Sequence, residues 1–200
     1  MQALIVVSHP DPGSLTHALA HALRATWEAL GCDVDLRDLH AEGFDPVLSV
    51  EEARGEPTTD ALAREHVEAL KRADLLGIVH PNYWGAPPAM MKGWMDRALA
   101  PDAAYGHAKG ETGPEGLLRV RAAVVLNTGN TPEGREEDHF GDPLDPIWRR
   151  CVLGFCGVEN VERRLFRVVS DSTPEERAAW IAEAEALARR AHALAHALAA

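Results

Sequence analysis

Short, continuous apolar runs alternate along this chain with longer segments whose apolar residues recur at helical spacing, and this alternation narrows the possible folds most. Runs such as ALIVV at 3–7 are typical of strands buried on both faces of a sheet. From Ser14 to Leu30 the apolar residues follow helical spacing, and Gly31 is placed to end a helix. The pattern predicts strands at 3–7, 32–36, 75–80, 119–127 and 161–169, and helices at 14–30, 60–73, 86–99, 143–156 and 173–200.

This alternation predicts an α/β fold, a doubly wound sheet of five parallel strands with helices on both faces, in one domain over residues 1–200. Charges interspersed in 161–169 mark the fifth strand as an edge strand. The sequence TPEE at 173–176 is a capping box with proline at the first helical position, so it begins the last helix. The sequence FDPV at 44–47 indicates an irregular, packed loop.

Composition excludes several classes of function. The 200 residues carry a formal net charge of −11, so they supply no basic face for nucleic acid. No apolar run approaches the ~20 residues of a membrane-spanning helix, and MQALIVVSHP is typical of a strand and not of a signal peptide. Three cysteines without a CxxC pair indicate reduced packing residues. These features favour a cytoplasmic globular protein without membrane insertion.

Three predicted loops leave the carboxyl ends of strands, where ligands of doubly wound sheets bind: 8–14, 80–87 and 127–141. In the first loop, Ser14, the Leu15 N–H and Thr16 stand at the positive end of a helix dipole, where a phosphate binds favourably. A simple helix cap at Ser14 is an equally good interpretation. Neither GxGxxG nor GxxxxGK[ST] is present, so neither a dinucleotide fingerprint nor a P-loop is predicted.

The second loop, PNYWGAPP, offers aromatic faces on a backbone that its prolines hold extended, and Gly85 permits close backbone approach. Such a surface suits a flat, mostly apolar ring. We interpret Trp84 as part of that surface and Trp94, in the next predicted helix, as a core residue. The third loop begins NTGNT, a small and flexible run whose N–H groups suit the polar edge of the same ring. A phosphate, a ring face and a ring edge together indicate a flavin.

Several of these segments resemble one known family, the NAD(P)H:quinone oxidoreductases of flavodoxin-like fold. The resemblance rests on the HP…SLT loop, ADLLGIVHPNYWGAPPAMMKGWMDR, AYGH, the NTGN loop and FGDPLDPIW…CGV, and it covers most of the chain. Its most specific part is the pattern PxxWxxxPAxxKGWxDR. The family includes mammalian quinone reductases and the ancillary oxidoreductases of bacterial potassium-efflux systems. The resemblance therefore implies a flavodoxin-like fold and a bound flavin.

The resemblance also implies which residues form the site. It implies phosphate and ribityl contacts at His9, Ser14, Leu15 and Thr16. It implies ring contacts at Pro81, Asn82, Tyr83, Trp84 and Gly85, and contacts with the polar edge of the ring at Asn127, Thr128, Gly129 and Asn130. The family's substrate site, often completed across a dimer interface, corresponds here to Tyr105, Gly106 and His107.

The third loop departs from the family pattern. Mammalian members have a tyrosine and a histidine there that relay the charge linked to hydride transfer, whereas this chain has tyrosines only at 83 and 105. Alignment on Gly141-Asp142 puts Phe140 at the position of the family histidine. His139 and Arg135 are then the candidate catalytic residues that compensate for the missing pair.

Two histidine pairs at i, i+4 spacing, His17/His21 and His192/His196, have the geometry of metal ligands on a helix. Neither pair has a third ligand in a convincing pattern. We interpret both pairs as solvated helix faces, and no metal site is predicted.

The predicted function is an NAD(P)H dehydrogenase (quinone), which transfers a hydride through a bound flavin to a quinone or related acceptor by a ping-pong mechanism. FMN is favoured because the first loop offers one helix N-terminus for one phosphate. FAD is the alternative, since the resemblance places Arg177 where mammalian members contact FAD. A homodimer is implied by the family. The alternative functions are a flavin-loaded regulatory subunit of a membrane potassium-efflux antiporter and a flavodoxin-type electron carrier, and the choice between NADH and NADPH stays open.

Overall fold

A computed structural model describes residues 1–106 and 115–199 of the chain. Five parallel strands form one sheet in the order β2-β1-β3-β4-β5. They are β1 (Gln2–Val7), β2 (Asp33–Asp38), β3 (Leu75–Pro81), β4 (Ala122–Thr128) and β5 (Val161–Phe166). The predicted doubly wound α/β sheet is confirmed, and β5 is an edge strand as its charges indicated.

Helices cover both faces of the sheet. In chain order they are α1 (Leu15–Ala29), α2 (Val50–Ala53), α3 (Ala61–Arg72), α4 (Ala89–Ala98), α5 (Glu133–Asp138), α6 (Leu144–Pro146), a π-helix (Ile147–Gly154) and α7 (Pro174–Ala197). Helices α1 and α7 pack on one face, and α3, α4, α6 and the π-helix pack on the other. Thr173 forms the predicted capping box with Glu176 at the start of α7.

Some elements differ from those predicted. Helix α5 lies in the loop predicted at 127–141, and α2 lies in a segment for which no element was predicted, because 6 and 4 residues are too short to show an amphipathic repeat. The helix predicted at 143–156 is α6 followed by the π-helix, and Pro146 at their junction has no N–H to continue a regular ladder. β4 begins at Ala122 and β5 ends at Phe166, so both strands are shorter than the predicted segments 119–127 and 161–169.

Three tryptophans are among the largest fully buried side chains, and the indole N–H of each has an acceptor on another element. The bonds run from Trp27 to Ala188 O (3.0 Å), from Trp94 to His66 Nδ1 (3.1 Å) and from Trp148 to His80 Nε2 (2.9 Å). A buried N–H left unpaired costs about 1–3 kcal/mol, so these bonds select how the helices dock. The interpretation of Trp94 as a core residue is confirmed.

The segment that follows β2 packs closely on α4. A Cβ atom added to Gly93 would lie 2.3 Å from Pro46, so only glycine allows this approach. The buried side chains of Arg97 and Glu52 form an ion pair with a 3.0 Å Nε–Oε1 distance. Phe44 is buried, and the centre of its ring lies 5.6 Å from Arg97 Cζ. The loop at 44–47 is therefore packed, as predicted.

The strand order puts the topological switch point between β1 and β3. Val7 is in register with Val79, and His80 is in register with Asn127. The carboxyl ends of β1, β3 and β4 therefore meet at one edge of the sheet, and so do the three loops that follow them. Among residues 1–106 and 115–199, no helix has the length and apolarity needed to cross a membrane.

Candidate functional site

The three loops are joined to one another by hydrogen bonds. The Thr16 and Thr128 hydroxyl oxygens, from the first and third loops, lie 3.0 Å apart. The Asn82 N–H in the second loop donates to Thr128 O at 2.7 Å. A cleft of about 700 Å³ lies between the second and third loops, within the size range of small-molecule sites.

The cleft has flat apolar groups beside a few polar ones. Its apolar part comes from Trp84, Phe140, Pro132 and Pro143. The other lining residues are Asn82, Gly85, Gly129, Asn130, Thr131, Arg135, Glu136 and His139. This composition suits a flat ring with a polar edge, as the loop sequences indicated.

Trp84 lies at the tip of a tight turn between the second loop and α4. Tyr83 and Ala86 exchange two backbone hydrogen bonds, of 3.0 and 3.1 Å. Between them Trp84 has φ 59° and Gly85 has φ 74°, the pair of left-handed residues that defines a type I′ turn. The Trp84 side chain is fully exposed, at 104% of its reference area. A large aromatic residue in the left-handed region, with no burial to compensate, indicates a functional constraint.

Gly85 has a structural role beside the predicted contact with a ring. A Cβ atom on Gly85 would lie 3.1 Å from Pro143 Cγ, a tight contact, so the glycine lets the second loop approach the opposite wall of the cleft. Its positive φ also disfavours any other residue.

Asn82 and Glu136 connect the second loop to α5 in the third loop. Asn82 Oδ1 accepts from the Gly85 N–H at 2.9 Å, and Asn82 Nδ2 donates to Glu136 Oε1 at 2.9 Å. Glu136 lines the cleft although it is only 2% exposed. The sequence analysis missed Glu136 because it is one of several acidic residues in a segment that was predicted to be a loop.

In the first loop, Ser14 caps α1. Its Oγ accepts from the His17 N–H at 3.3 Å and lies 3.1 Å from His17 Nδ1. His17 Nε2 lies 2.9 Å from Asp38 Oδ2. Burial raises the pKa of Asp38, but hydrogen bonds from His17 and two backbone N–H groups outweigh burial and lower it. The predicted solvated face is wrong for His17, which is buried, and holds for His21.

Unpaired donors lie at the start of α1. The N–H groups of Leu15 and Thr16 have no acceptor among the described residues, as is usual in a first turn. His9 Nδ1 lies 3.1 Å from Asp11 N and 3.2 Å from Asp11 O, and these contacts hold the imidazole beside the start of α1. At the end of β1, the Ser8 hydroxyl is buried and has no partner in the part of the chain that the structure describes. This donor set fits an oxygen-rich anion at the helix N-terminus.

The third loop is more constrained than its small residues indicated. The Gly129 N–H donates to Phe166 O at 3.0 Å, and Gly129 O accepts from the Val169 N–H at 3.0 Å. Asn130 Oδ1 accepts from the Ser170 N–H at 2.9 Å. The loop is therefore attached to the connection between β5 and α7, and the Gly129 N–H is not available to a ligand.

Of the residues predicted at a ring's polar edge, only Asn130 has an N–H without an acceptor among the described residues. Asn127 and Thr128 are buried at the end of β4, and the Asn127 side chain points inward. Thr131 also lines the cleft, and its N–H has no acceptor within the same described ranges. Thr131 is the last residue of the NTGNT run, but it is not among the residues that the resemblance implied.

A row of buried polar groups crosses the ends of β3, β4 and β5. His80 Nδ1 donates to Pro81 O at 2.8 Å, which leaves Nε2 as an acceptor. Trp148 Nε1 lies 2.9 Å from this nitrogen, and Asn127 Nδ2 lies 3.1 Å from it. Asn127 Oδ1 in turn accepts from Arg163 Nε at 2.9 Å.

The environment of His80 keeps its imidazole neutral. Complete burial lowers the pKa of His80 from 6.5 to about 4. The hydrogen bond to Pro81 O opposes this lowering, and the positive charge of Arg163 reinforces it. A neutral ring is what two donors at Nε2 require. His80 therefore serves as a hydrogen-bond centre, not as a proton donor near neutral pH.

Arg163 on β5 continues this row to the third loop. Its Nη1 and Nη2 donate to the two Asp142 carboxylate oxygens at 2.6 and 2.9 Å, and its side chain is 4% exposed. Asp142 has φ 43° and follows Gly141 at φ 71°. A left-handed non-glycine residue costs about 1–2 kcal/mol, so the ion pair stabilises a strained turn.

The charges of β5 thus do more than mark an edge. Arg167, just beyond β5, pairs with Glu137 at 2.7 Å and with Glu133 at 3.3 Å, both in α5. Arg164 remains 46% exposed, as edge charges were expected to be. Sequence alone does not distinguish an arginine that turns inward from one that stays in solvent.

The two candidate catalytic residues reach the cleft. His139 and Arg135 are exposed and line the third-loop wall. The Arg135 guanidinium lies 5.5 Å from the centre of the Phe140 ring. Phe140, at the position of the family histidine, supplies an aromatic face there and no titratable group.

Tyr105 and Gly106, the candidate substrate residues that the structure describes, do not line this cleft. Tyr105 is half-buried against Phe155, with ring centres 5.0 Å apart, and burial raises its pKa. Gly106 donates its N–H to Glu115 O at 2.7 Å. His107 lies outside the described residues.

The described residues contain no group of three or more His, Cys, Asp or Glu side chains that could hold a metal ion. Cys32 and Cys156 are buried, and burial raises the pKa of Cys156 to about 11. Cys151 is exposed, so the expectation of a packing cysteine is wrong there.

Known proteins share this sequence and fold. The model of the family described as flavodoxin-like fold matches residues 1–190. The chain is 32% identical over 171 residues to an uncharacterized NAD(P)H oxidoreductase of Haemophilus influenzae, covering 83% of each. It is 33% identical over 151 residues to an FMN-dependent NADH:quinone oxidoreductase of Shewanella loihica, covering 70% of this chain and 73% of that one. An NAD(P)H:quinone oxidoreductase structure from Methanothermobacter marburgensis shares the fold, with a TM-score of 0.80 at 24% identity over 94% of this chain and 96% of that one.

The buried neutral His80 predicts an acid-sensitive stability. The pKa of His80 is about 4 in the folded chain and 6.5 in the unfolded chain. As the pH falls below 6.5, the His80 imidazole therefore gains a proton in the unfolded chain only. The free energy of unfolding should therefore drop by about 3 kcal/mol between those two values through this group alone. Urea unfolding of a His80→Gln variant should show a flatter pH profile than the parent, and His21→Gln should not. Parallel profiles for the parent and His80→Gln would contradict the assignment.

The strained turn predicts that Trp84→Gly stabilises the chain. Glycine relieves the left-handed strain, and an exposed indole loses little burial, so the free energy of unfolding should rise by about 1 kcal/mol. Urea unfolding of the ligand-free protein measures this change. Tyr83→Gly, at the preceding position outside the left-handed region, is the control and should bring no gain. A Trp84→Gly variant less stable than the parent would show that the indole packs on the protein.

Proposed function

The chain belongs to the flavodoxin-like fold family, and we propose that it is a flavin-dependent NAD(P)H:quinone oxidoreductase, reducing quinones or related acceptors by two electrons. The observation that carries this proposal is the strained, fully exposed Trp84 beside a cleft with a second aromatic wall. The N-terminus of α1 adds free donors for the phosphate of the same ligand. One flat ring and one anionic tail are the two parts of a flavin nucleotide.

We assign FMN to this site. The Leu15 and Thr16 N–H groups, with the His9 imidazole, suit a single terminal phosphate. A second phosphate would need its own cation in a chain of net charge −11. Arg177, the candidate for that role, donates from Nε to Ser172 Oγ at 2.8 Å and from Nη2 to the same loop's carbonyls. The Shewanella loihica relative is FMN-dependent, which supports the same choice.

The proposed ring site lies between the second and third loops. Trp84 and the turn at Gly85 bound one side of the ring, and the Phe140 and Pro143 wall bounds the other. The N–H groups of Asn130 and Thr131 donate to the polar edge. Among the residues implied by the family, Pro81, Asn82 and Thr128 shape the backbone, whereas Asn127 supports it from within.

When bound, the flavin supplies two-electron hydride chemistry, first with NADH or NADPH and then with the acceptor. The residues of the chain position both substrates. Trp84 and Phe140 flank the mouth of the cleft with aromatic surface, past which the nicotinamide and quinone rings reach the flavin one after the other. Arg135 and His139 stand at the mouth, where a guanidinium and an imidazole interact with the polar groups of either substrate.

We propose further that the chain functions in the cytoplasm as a homodimer. Tyr105 does not line the cleft of its own chain, so a substrate role for Tyr105 and Gly106 requires the cleft of a second copy. Tyr105, Phe155 and Leu117 form an apolar surface on which Phe155 is 42% exposed and Leu117 is 45% exposed. An exposed apolar surface of this kind suits a subunit contact.

The function is tested by cofactor analysis and kinetics. The purified protein should be yellow, and heat release followed by mass spectrometry should identify FMN. With either nicotinamide and a panel of quinones, double-reciprocal plots should give parallel lines, because both substrates use one pocket. Trp84→Gly should retain less FMN than Tyr83→Gly. Release of FAD would overturn the cofactor assignment, and intersecting lines would overturn the shared pocket.

The dimer is tested by light scattering. The parent should give twice the 21.7 kDa chain mass at working concentration. Leu117→Asp places a charge in the proposed contact, so this variant should shift to monomer and lose acceptor turnover. Leu198→Asp, at an exposed position near the end of α7, is the control and should remain dimeric. A monomeric parent would refute the dimer.

A further inference from the structure

Arg163 lies outside every loop that the sequence singled out. It is on the edge strand β5, and its side chain is only 4% exposed, although its neighbours Glu162 and Arg164 are half-buried and exposed. All three guanidinium nitrogens donate to protein acceptors: Nε to Asn127 Oδ1, and Nη1 and Nη2 to Asp142. A buried cation with this many bonds has one geometry available.

Its contacts lead to both walls of the cleft. Asp142 is followed by Pro143, which lines the cleft and lies so close to Gly85 that an added Cβ atom would be 3.1 Å from Pro143 Cγ. Asn127 bonds to His80, which donates to Pro81 O at the start of the second loop. Arg163 therefore reaches the third-loop wall through one partner and the second-loop wall through the other.

The backbone at Asp142 explains why this bond matters. Gly141 and Asp142 have successive positive φ values of 71° and 43°, which turn the chain from the Phe140 wall into Pro143. Aspartate adopts this left-handed conformation more readily than most residues other than glycine when its carboxylate is hydrogen-bonded, and here both carboxylate oxygens accept from Arg163. The bidentate bond to Arg163 stabilises this turn, so the position of Phe140 and Pro143 depends on the arginine.

We infer that Arg163 is a positioning residue that preorganises the flavin-ring cleft, acting through Asp142 on one wall and through Asn127 and His80 on the other. The flavin as the ligand of this cleft rests on the proposed function. The effect of Arg163 on the two walls does not, because it exists before any ligand binds.

Hydrogen–deuterium exchange of the flavin-free protein tests the structural effect. Arg163→Lys keeps the charge but not the bidentate bond, so exchange should rise about tenfold in peptides covering 139–143 and 82–86. Peptides from α1 and α7 should exchange as in the parent. The matched control is Arg164→Lys, at the next residue of β5, whose side chain is 46% exposed and pairs with Glu183. Unchanged exchange at the cleft, or a uniform rise along the chain, would overturn the inference.

FMN titration tests the path through Asp142. Arg163→Lys and Asp142→Asn should each raise the dissociation constant for FMN about tenfold, and the double variant should be no weaker than either one. Additive losses would show that the two residues act separately, against the inference. A well-folded Asp142→Asn variant keeps the test decisive if Arg163→Lys fails to fold. A parent that binds no FMN would refute the proposed function instead, and the exchange result would still decide the role of Arg163.

Discussion

The neutral imidazole of His80, buried at the carboxyl end of β3, links the sheet to both loops of the cleft. It donates to Pro81 at the start of the second loop and accepts from Trp148 in the π-helix and from Asn127 on β4. The register of two parallel strands places His80 beside Asn127. The walls of the cleft therefore depend on the sheet register as much as on the loop sequences. A buried polar group costs free energy unless each of its hydrogen-bond partners is present. This row of buried polar groups therefore favours one arrangement of the loops.

The fold could be predicted because its signals are local and repeated. Apolar runs and helical spacing mark elements along the chain, and alternation of strands and helices leaves few topologies. Gly31 and Thr173 gave element ends that the structure keeps, with φ 80° at the glycine and a capping box at the threonine. The short helices α2 and α5 were not predicted, because neither is long enough to show a period, and the helix predicted at 143–156 gave no sign of its π-helical part.

The site was predictable in position and only partly in detail. The loops after three strands had to meet, and the unusual content of PNYWGAPP singled out Trp84. The supporting contacts join residues far apart in sequence, such as Asn82 with Glu136 and Asn127 with Arg163. Whether an asparagine turns toward a ligand or toward the core depends on its partners, and a single sequence does not pair them. For this reason the sequence did not show that the Asn127 side chain bonds to Arg163, nor that His17 is buried.

The exposed indole of Trp84 also gives the protein an optical property. Trp27, Trp94 and Trp148 sit in dry, hydrogen-bonded surroundings, whereas Trp84 projects wholly into water. Its emission lies at longer wavelength than that of the three core indoles. A ring that stacks against it quenches this red component and leaves the blue one in place. The chain thus carries its own fluorescent reporter at the mouth of the cleft, with an internal reference in the core.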